Sequence, residues 1–256
     1  MKMASVFIWA ALAGCTAMLF ASPAVAQYNY YASSSFLSNQ FNYPSLAPTP
    51  SKKSSSSAST APKTRVAEPS QASGNTNRRA SANNNPLPYS RDKTLSAQIR
   101  EAFLQDFAKQ MPDAVDDVRA ISEKTDLVQA MAGFAQTQGL DSGTMEGMMA
   151  VWYGQAWAIA NQQPMPSKLQ HQAIASQLRT SMQNSPQWSQ MNNKQRQEFI
   201  EQLAYPLIVQ KANYQAYLKQ GKKDSMARMA AATQEGLKKI GLDLRNLKLT
   251  DNGFIG

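Results

Sequence analysis

Residues 139–166 read GLDSGTMEGMMAVWYGQAWAIANQQPMP, and this stretch decides the fold. Its apolar side chains recur three and four positions apart, which is the spacing of a helix face. They cover most of the circumference and are Met145, Met148, Met149, Ala150, Trp152, Tyr153, Ala156, Trp157, Ile159 and Ala160. A helix that is apolar on most of its surface lies at the centre of its domain. The pattern therefore predicts a central helix, capped by Asp141 and ended near Asn161 by the prolines that follow.

Helical spacing of apolar residues continues on both sides of this stretch. Towards the N-terminus it predicts a helix that begins near residue 93 and ends at Pro112. The next segment, residues 113–138, is either one helix or two helices broken near Thr125. After the central helix, Ser167 and Gln170 have the spacing of a capping box, which predicts the start of another helix.

Two further helical segments lie in the C-terminal part of the chain. A long one spans about residues 193–219, and a last one is expected to have Asp224 as its N-cap. The tail after it is expected to form a short turn that packs Leu244 and Phe254 onto the bundle. The chain has no internal repeat and no useful length of strand-like alternation. It therefore predicts an all-α domain over residues 93–256, folded as a single bundle of six or seven helices.

The N-terminus, residues 1–26, has the features of a secretory signal peptide. Lys2 precedes an apolar run, and the tripeptide AVA that ends at Ala26 is a cleavage site of small residues. The predicted mature protein is therefore periplasmic or secreted. A membrane-anchored lipoprotein is the alternative, because the LAGC sequence ending in Cys15 also fits the box at which bacterial lipoproteins are cut and lipidated.

Residues 27–92 are a predicted disordered linker, because they are rich in Ser, Ala, Asn and Pro and poor in aliphatic residues. Their first part, residues 27–43, is rich in aromatic side chains. The chain carries 26 Lys and Arg against 17 Asp and Glu, a net charge of +9, but the helical domain is only about +3. The linker is thus basic. In an exported protein, such a tail is expected to bind anionic lipid or wall polymer rather than DNA. The alternative is a solvated tether.

Few residues are candidates for chemistry. His171 is the single histidine, which excludes metal sites that need two, and its place on an apolar stripe predicts a half-buried structural role. Glu198 and Glu201 stand three residues apart, close enough to bind one cation, although charges beside apolar residues are typical of a solvated helix face. They are the candidate metal ligands. The chain contains no cofactor-binding motif: Gly143 and Gly147 do not form a phosphate loop, because no strand precedes them.

Glu146 is the candidate catalytic residue. It lies in the first turn of the predicted central helix, where the helix dipole favours an acidic side chain. A structural role at that position explains it without catalysis. An enzymatic role would require a deep cleft beside Glu146 with a second polar group facing it, and it would fail if Glu146 were a solvated residue without a cleft.

Diffuse motifs over residues 127–256 carry a resemblance to a known family. They are Gly139-Leu140-Asp141, Gln177-Leu178-Arg179, Glu201-Gln202-Leu203-Ala204, Gly241-Leu242-Asp243 and Leu247-Lys248-Leu249-Thr250. With these motifs around an aromatic-rich helix, the layout resembles a bacterial family of exported helical proteins classed as a domain of unknown function. The resemblance implies a helical fold and an exported compartment, and it implies no activity.

Two functional hypotheses follow. The first is an exported, non-catalytic interaction module, without a cofactor, whose partner is a protein or a cell-envelope polymer. In this hypothesis nucleic acid is not a partner, and the chain contacts the membrane only through the signal peptide or a lipid anchor. The second is a hydrolase directed at the cell wall, with Glu146 as its catalytic carboxylate. The absence of a complete catalytic constellation favours the first.

Overall fold

The computed structural model describes residues 86–256. The predicted signal peptide, its cleavage site at Ala26, the lipidation candidate Cys15 and the linker up to residue 85 lie outside the described residues. Eight α-helices occur in the described part: α1 Lys93–Gln110, α2 Val115–Lys124, α3 Leu127–Thr137, α4 Met145–Asn161, α5 Lys168–Gln183, α6 Pro186–Ser189, α7 Asn193–Lys219 and α8 Lys223–Lys239. A 3₁₀ turn, Pro112–Ala114, precedes α2, and a second one, Leu244–Asn246, is followed by the strands β1 Lys248–Thr250 and β2 Gly253–Ile255.

The predicted all-α bundle is confirmed. Seven of the eight helices have ten or more residues, and α6 is a single turn. The open question about residues 113–138 is resolved as two helices, because α2 ends at Lys124 and the Asp126 carboxylate caps α3 by accepting from Gln129 N. The capping box that begins α5 is present, with Ser167 and Gln170 bonded to each other's backbone.

Residues 145–161 form α4, which lies at the centre of the bundle as predicted. It packs against α3, α5, α7, α8 and the second 3₁₀ turn, and all its residues except Trp157 and Asn161 are buried. Gly154 allows the close approach of α5. A Cβ at this position would lie 3.0 Å from His171 Nε2 and 3.1 Å from Pro166 Cγ. A larger residue would push the two helices apart.

Two predicted caps are wrong. The N-cap of α4 is Thr144, whose hydroxyl accepts from Gly147 N at 3.2 Å, and not Asp141. The Asp141 carboxylate accepts from Gly143 N at 2.9 Å and so shapes the turn before the helix, as Asp commonly does. Asp224 lies in the first turn of α8, whose N-cap is Lys222. An acidic residue in a first turn is favoured by the helix dipole alone, so sequence does not separate it from a cap.

The C-terminal tail packs on the bundle as predicted, since Leu244 and Phe254 are fully buried. It does so as an antiparallel hairpin in which Leu249 pairs with Phe254. Gln177 of α5 holds the hairpin: its side chain accepts from Phe254 N and donates to Phe254 O, both at 2.8 Å. The hairpin was missed because strands of three residues are too short to show alternation.

The residues that precede α1 are packed onto the bundle. We call residues 87–92 the N-terminal arm; they fall in the part of the chain predicted as linker. The arm crosses the start of α4, where Met145 N donates to Leu87 O and Tyr89 N donates to Gly143 O, both at 2.9 Å. Tyr89 itself is buried. These contacts bring two acidic side chains of the bundle against the arm.

Candidate functional site

Two carboxylates singled out in the sequence, Glu146 and Glu201, are almost completely enclosed. Their residues are 1% and 0% exposed. A charge is buried at high cost unless it is paired and hydrogen-bonded. Both are paired with an arginine, and both also contact the N-terminal arm or its arginine. The two sites are otherwise built differently.

The Glu201 cluster consists of Glu201, Arg91, Ser96 and Gln197. Three donors converge on Glu201 Oε1: Arg91 Nε at 3.0 Å, the Ser96 hydroxyl at 2.7 Å and Gln197 Nε2 at 3.0 Å. Arg91 also donates from Nη1 to Asp126 at 2.9 Å. The other oxygen, Glu201 Oε2, is buried without a hydrogen-bond partner among the described residues. The cluster therefore ties the arm to α1, α3 and α7.

The charge in this cluster affects its neighbours. Burial, followed by the negative charge of Glu201, raises the pKa of Tyr205 to about 12 and raises that of Tyr89 further. For Asp126, burial acts to raise the pKa, but the hydrogen bond and positive charge of Arg91 leave it lowered. These effects have the signs expected for an ion pair in a site from which water is largely excluded.

The candidate metal ligands Glu198 and Glu201 lie in different surroundings. Glu198 is partly exposed and lies 3.8 Å from Lys194, one turn away on α7. Glu201 faces inward to α1 and not to the solvated face on which we placed it. Its countercharge, Arg91, lies 110 residues away in the chain. A local sequence pattern does not predict a partner at such a distance. Across residues 86–256, no group of three His, Cys, Asp or Glu residues could hold a metal ion.

The Glu146 cluster consists of Glu146, Arg179 and the backbone of Leu87. Arg179 Nε of α5 donates to Glu146 Oε1 at 3.0 Å, and Leu87 N donates to Oε2 at 3.2 Å. This cluster borders a cavity of about 190 Å³. The polar residues lining the cavity are Asp141, Thr144, Glu146, Gln172, Ser176 and Arg179.

This geometry bears on the catalytic hypothesis. The cavity and the facing Arg179 are what that hypothesis requires beside Glu146. However, both oxygens of Glu146 already accept hydrogen bonds from the protein, whereas a general acid or base must face the proton that it transfers. The cavity is also small: pockets for small molecules usually measure roughly 300–1,000 Å³. The arrangement is better suited to holding charges in place than to glycan cleavage.

His171 is more deeply buried than predicted, at 1% exposed. Its Nδ1 lies 3.0 Å from Ser167 O, and its ring meets Phe134 edge-on at 5.8 Å. Burial is the main reason that its pKa is lowered. The predicted structural role fits this position, and the assignment as half-buried is wrong, because α5 packs directly against Gly154.

Sequence reasoning missed three charged residues of this region. Arg91 lay in the predicted linker, and Arg179 appeared only within a family motif. Lys211 of α7 was not singled out; its ammonium lies 3.9 Å from the centre of the Phe134 ring, and burial lowers its pKa to about 8. A basic residue among the apolar residues of a long helix was the available signal for Lys211.

Comparisons with known proteins give a family but no activity. None of the helices in the described part is long and apolar enough to cross a bilayer. No curated protein and no solved structure matches the chain. A protein-family model described as a family of unknown function (DUF6683) matches residues 3–255.

Proposed function

The chain belongs to this family of unknown function (DUF6683), and we propose that it is an exported, non-catalytic interaction module. The helical domain supplies a rigid body, and residues 27–85 form a basic tether. The partner is a protein or an anionic polymer of the cell envelope. No cofactor and no nucleic acid take part.

This proposal rests on the contacts that the buried carboxylates make with the N-terminal arm. Glu146 and Glu201, the two enclosed carboxylates, are both bonded to the N-terminal arm, one through Leu87 N and the other through Arg91. Asn193 adds two more bonds to the arm, since its side chain accepts from Ser90 N and donates to Ser90 O. The polar groups that a catalytic role would use instead bind the segment through which the tether joins the bundle. This supports a protein whose tether has a defined attachment.

Export is supported by the sequence alone, through the apolar run after Lys2 and the cleavage site at Ala26. We propose a periplasmic or secreted mature protein, with a lipoprotein anchored through Cys15 as the alternative. Intact mass and fractionation of the native protein test both. A soluble protein that begins at residue 27 supports cleavage at Ala26, and a lipid-bearing one that begins at Cys15 supports the anchor. An unprocessed chain in the cytoplasm contradicts the proposal.

The interaction is tested with two variants of the mature chain. One lacks residues 27–85, and the other keeps the length of the tether but replaces its six bases with Gln. Both keep the described domain and the arm. We expect the mature chain to co-sediment with isolated cell envelopes of the producing organism, and both variants to bind at least tenfold more weakly. Equal binding by all three chains would contradict a role for the tether.

The cell-wall hydrolase remains the second candidate, because Asp141 and Glu146 both line the cavity. Glycosidases commonly use two carboxylates. The test is digestion of purified wall polymer by the wild-type chain and by Glu146→Gln, with release of soluble fragments as the readout. Because Arg179 and Leu87 occupy both oxygens of Glu146, we expect no release by either protein. Release by the wild type that is lost in Glu146→Gln would establish the hydrolase.

A further inference from the structure

The cavity beside Glu146 presents charges of both signs. Arg179 has several N–H donors, and among the described residues its hydrogen bonds involve Nε alone. Its remaining donors are therefore available on the side of the cavity that it lines. Asp141 also lines the cavity, and it uses one carboxylate oxygen to accept from Gly143 N. The residue is exposed.

These charges select the kind of ligand. The lining has Asp141 and Glu146 against Arg179, and the Lys168 ammonium lies beside the lining residue Gly139, so charges of both signs surround the cavity. A simple anion would leave Asp141 without a countercharge. A simple cation would leave the donors of Arg179 unused. We propose that the cavity binds a small zwitterion, whose carboxylate is held by Arg179 and whose ammonium is held by Asp141. A free amino acid and the end of a short peptide share this chemistry.

The site is preorganised for such a ligand. Glu146 is buried in α4 and holds Arg179 by its Nε, which leaves the terminal nitrogens of the guanidinium in a defined place. Arg179 and Ser176 stand on α5, and Asp141 is fixed by its turn. Side chains held in this way lose less entropy on binding. A volume near 190 Å³ is room for about six waters at ~30 Å³ each, which matches a small amino acid.

This inference goes beyond the proposed function and does not depend on the tether. It is tested by NMR titration of the ¹⁵N-labelled chain comprising residues 27–256. The probes are glycine, β-alanine and 4-aminobutanoate, which differ in the distance between their charges, together with glycylglycine. Acetate and ethylammonium carry one charge each. We expect at least one zwitterion to bind with a Kd of about 1 mM or below and to shift the amides of Gly139, Gly143 and Ser176.

The single-charge probes decide whether both charges are needed. We expect acetate and ethylammonium to bind at least tenfold more weakly than the best zwitterion. A preference for the amino acids over glycylglycine indicates a free amino acid as the natural ligand, and the reverse indicates a peptide end. Failure of every zwitterion to bind, or equal binding of acetate or ethylammonium, would overturn the proposal.

Substitutions on one helix locate the binding. Ser176 and Thr180 are both exposed on α5, but only Ser176 lines the cavity. Ser176→Phe fills the mouth of the cavity and should weaken zwitterion binding at least tenfold, whereas Thr180→Phe adds the same ring outside it and should bind like the wild type. Arg179→Lys keeps the charge but loses the planar fork, so we expect weaker binding there too. Wild-type affinity in Ser176→Phe would overturn the proposed location.

Discussion

The buried carboxylates Glu146 and Glu201 both accept hydrogen bonds from the N-terminal arm, but their surroundings differ. Glu201 lies in a closed cluster where three donors reach one oxygen and the side chain of Arg91 is 25% exposed. Glu146 lies at the wall of a cavity, and its partner Arg179 is 37% exposed. A closed cluster can only hold the fold together. A cluster that borders a cavity can also exchange its partners with water or a ligand.

The difference also shows what burial of a charge means for function. Glu201 has a completely enclosed oxygen without a hydrogen-bond partner among the described residues. Glu146 has both oxygens satisfied and still lies beside open space. Glu201, the carboxylate with an oxygen that lacks a hydrogen bond within residues 86–256, is therefore the one with the structural role. The binding site that we propose therefore follows the position of the cavity and not the isolation of a buried charge.

The largest effect is expected from Arg91→Met. It leaves the Glu201 charge buried without its cation, for which the loss of stability is about 3–5 kcal/mol. Because Ser96 and Gln197 still donate to Glu201, we expect the lower end of that range. Urea unfolding measures it. The control is Arg119→Met, which breaks the exposed pair with Glu101 and should change the stability much less, because solvent screens an exposed ion pair. Equal losses in both variants would mean that the cluster is not closed to water.

Gly147→Ala tests how tightly the turn beside the Glu146 cluster is packed. A Cβ at Gly147 would overlap the backbone oxygen of Asp141, and backbone cannot move aside as a side chain does. We expect a loss of about 2–3 kcal/mol in the free energy of unfolding. The control is Gly133→Ala in α3, where a Cβ meets nothing within 4 Å. That variant should gain about 0.5–1 kcal/mol, since Ala has the higher helix propensity. Similar behaviour of the two variants would contradict the packing.

Arg179→Met tests the open cluster directly. It removes the cation from Glu146, as Arg91→Met does from Glu201, but the cavity admits water to the remaining carboxylate. We therefore expect a loss of only about 1–2 kcal/mol, smaller than the loss caused by Arg91→Met under the same conditions. A loss as large as that of Arg91→Met would remove the distinction between the closed and the open cluster.

Lys211, which lies outside both clusters, shows how burial changes the pKa of a charged side chain. Burial lowers the pKa of Lys211 to about 8 from an ordinary 10.5. Between these values the unfolded chain binds more protons, so the stability of the folded protein rises with pH. We expect a gain of about 1 kcal/mol between pH 8 and about 9 in urea unfolding, at a pH where most tyrosines are still protonated. The gain should vanish in Lys211→Met. A gain that persists there belongs to another group.

Much of the helical architecture was predictable from local pattern. The apolar circumference of residues 145–161 predicts a central helix because a chain segment without a polar face has no side to present to water. The capping box at Ser167 was also correctly placed, since caps depend on residues a few positions apart. The break near Thr125 was one of two alternatives that the sequence left open. The caps predicted from a single acidic residue, Asp141 and Asp224, were misplaced because one acidic side chain fits several positions around the start of a helix.

By itself, the sequence determined the class of fold, the central place of α4 and the candidacy of Glu146. The tertiary structure alone decided that Glu201 is buried, that Arg91 reaches it across 110 residues and that a cavity lies beside Glu146. Periodicity reports which side of a helix is apolar, which is a property of neighbouring residues. The countercharge of a buried acid and the space beside it depend on residues that only folding brings together, and no spacing along the chain encodes them.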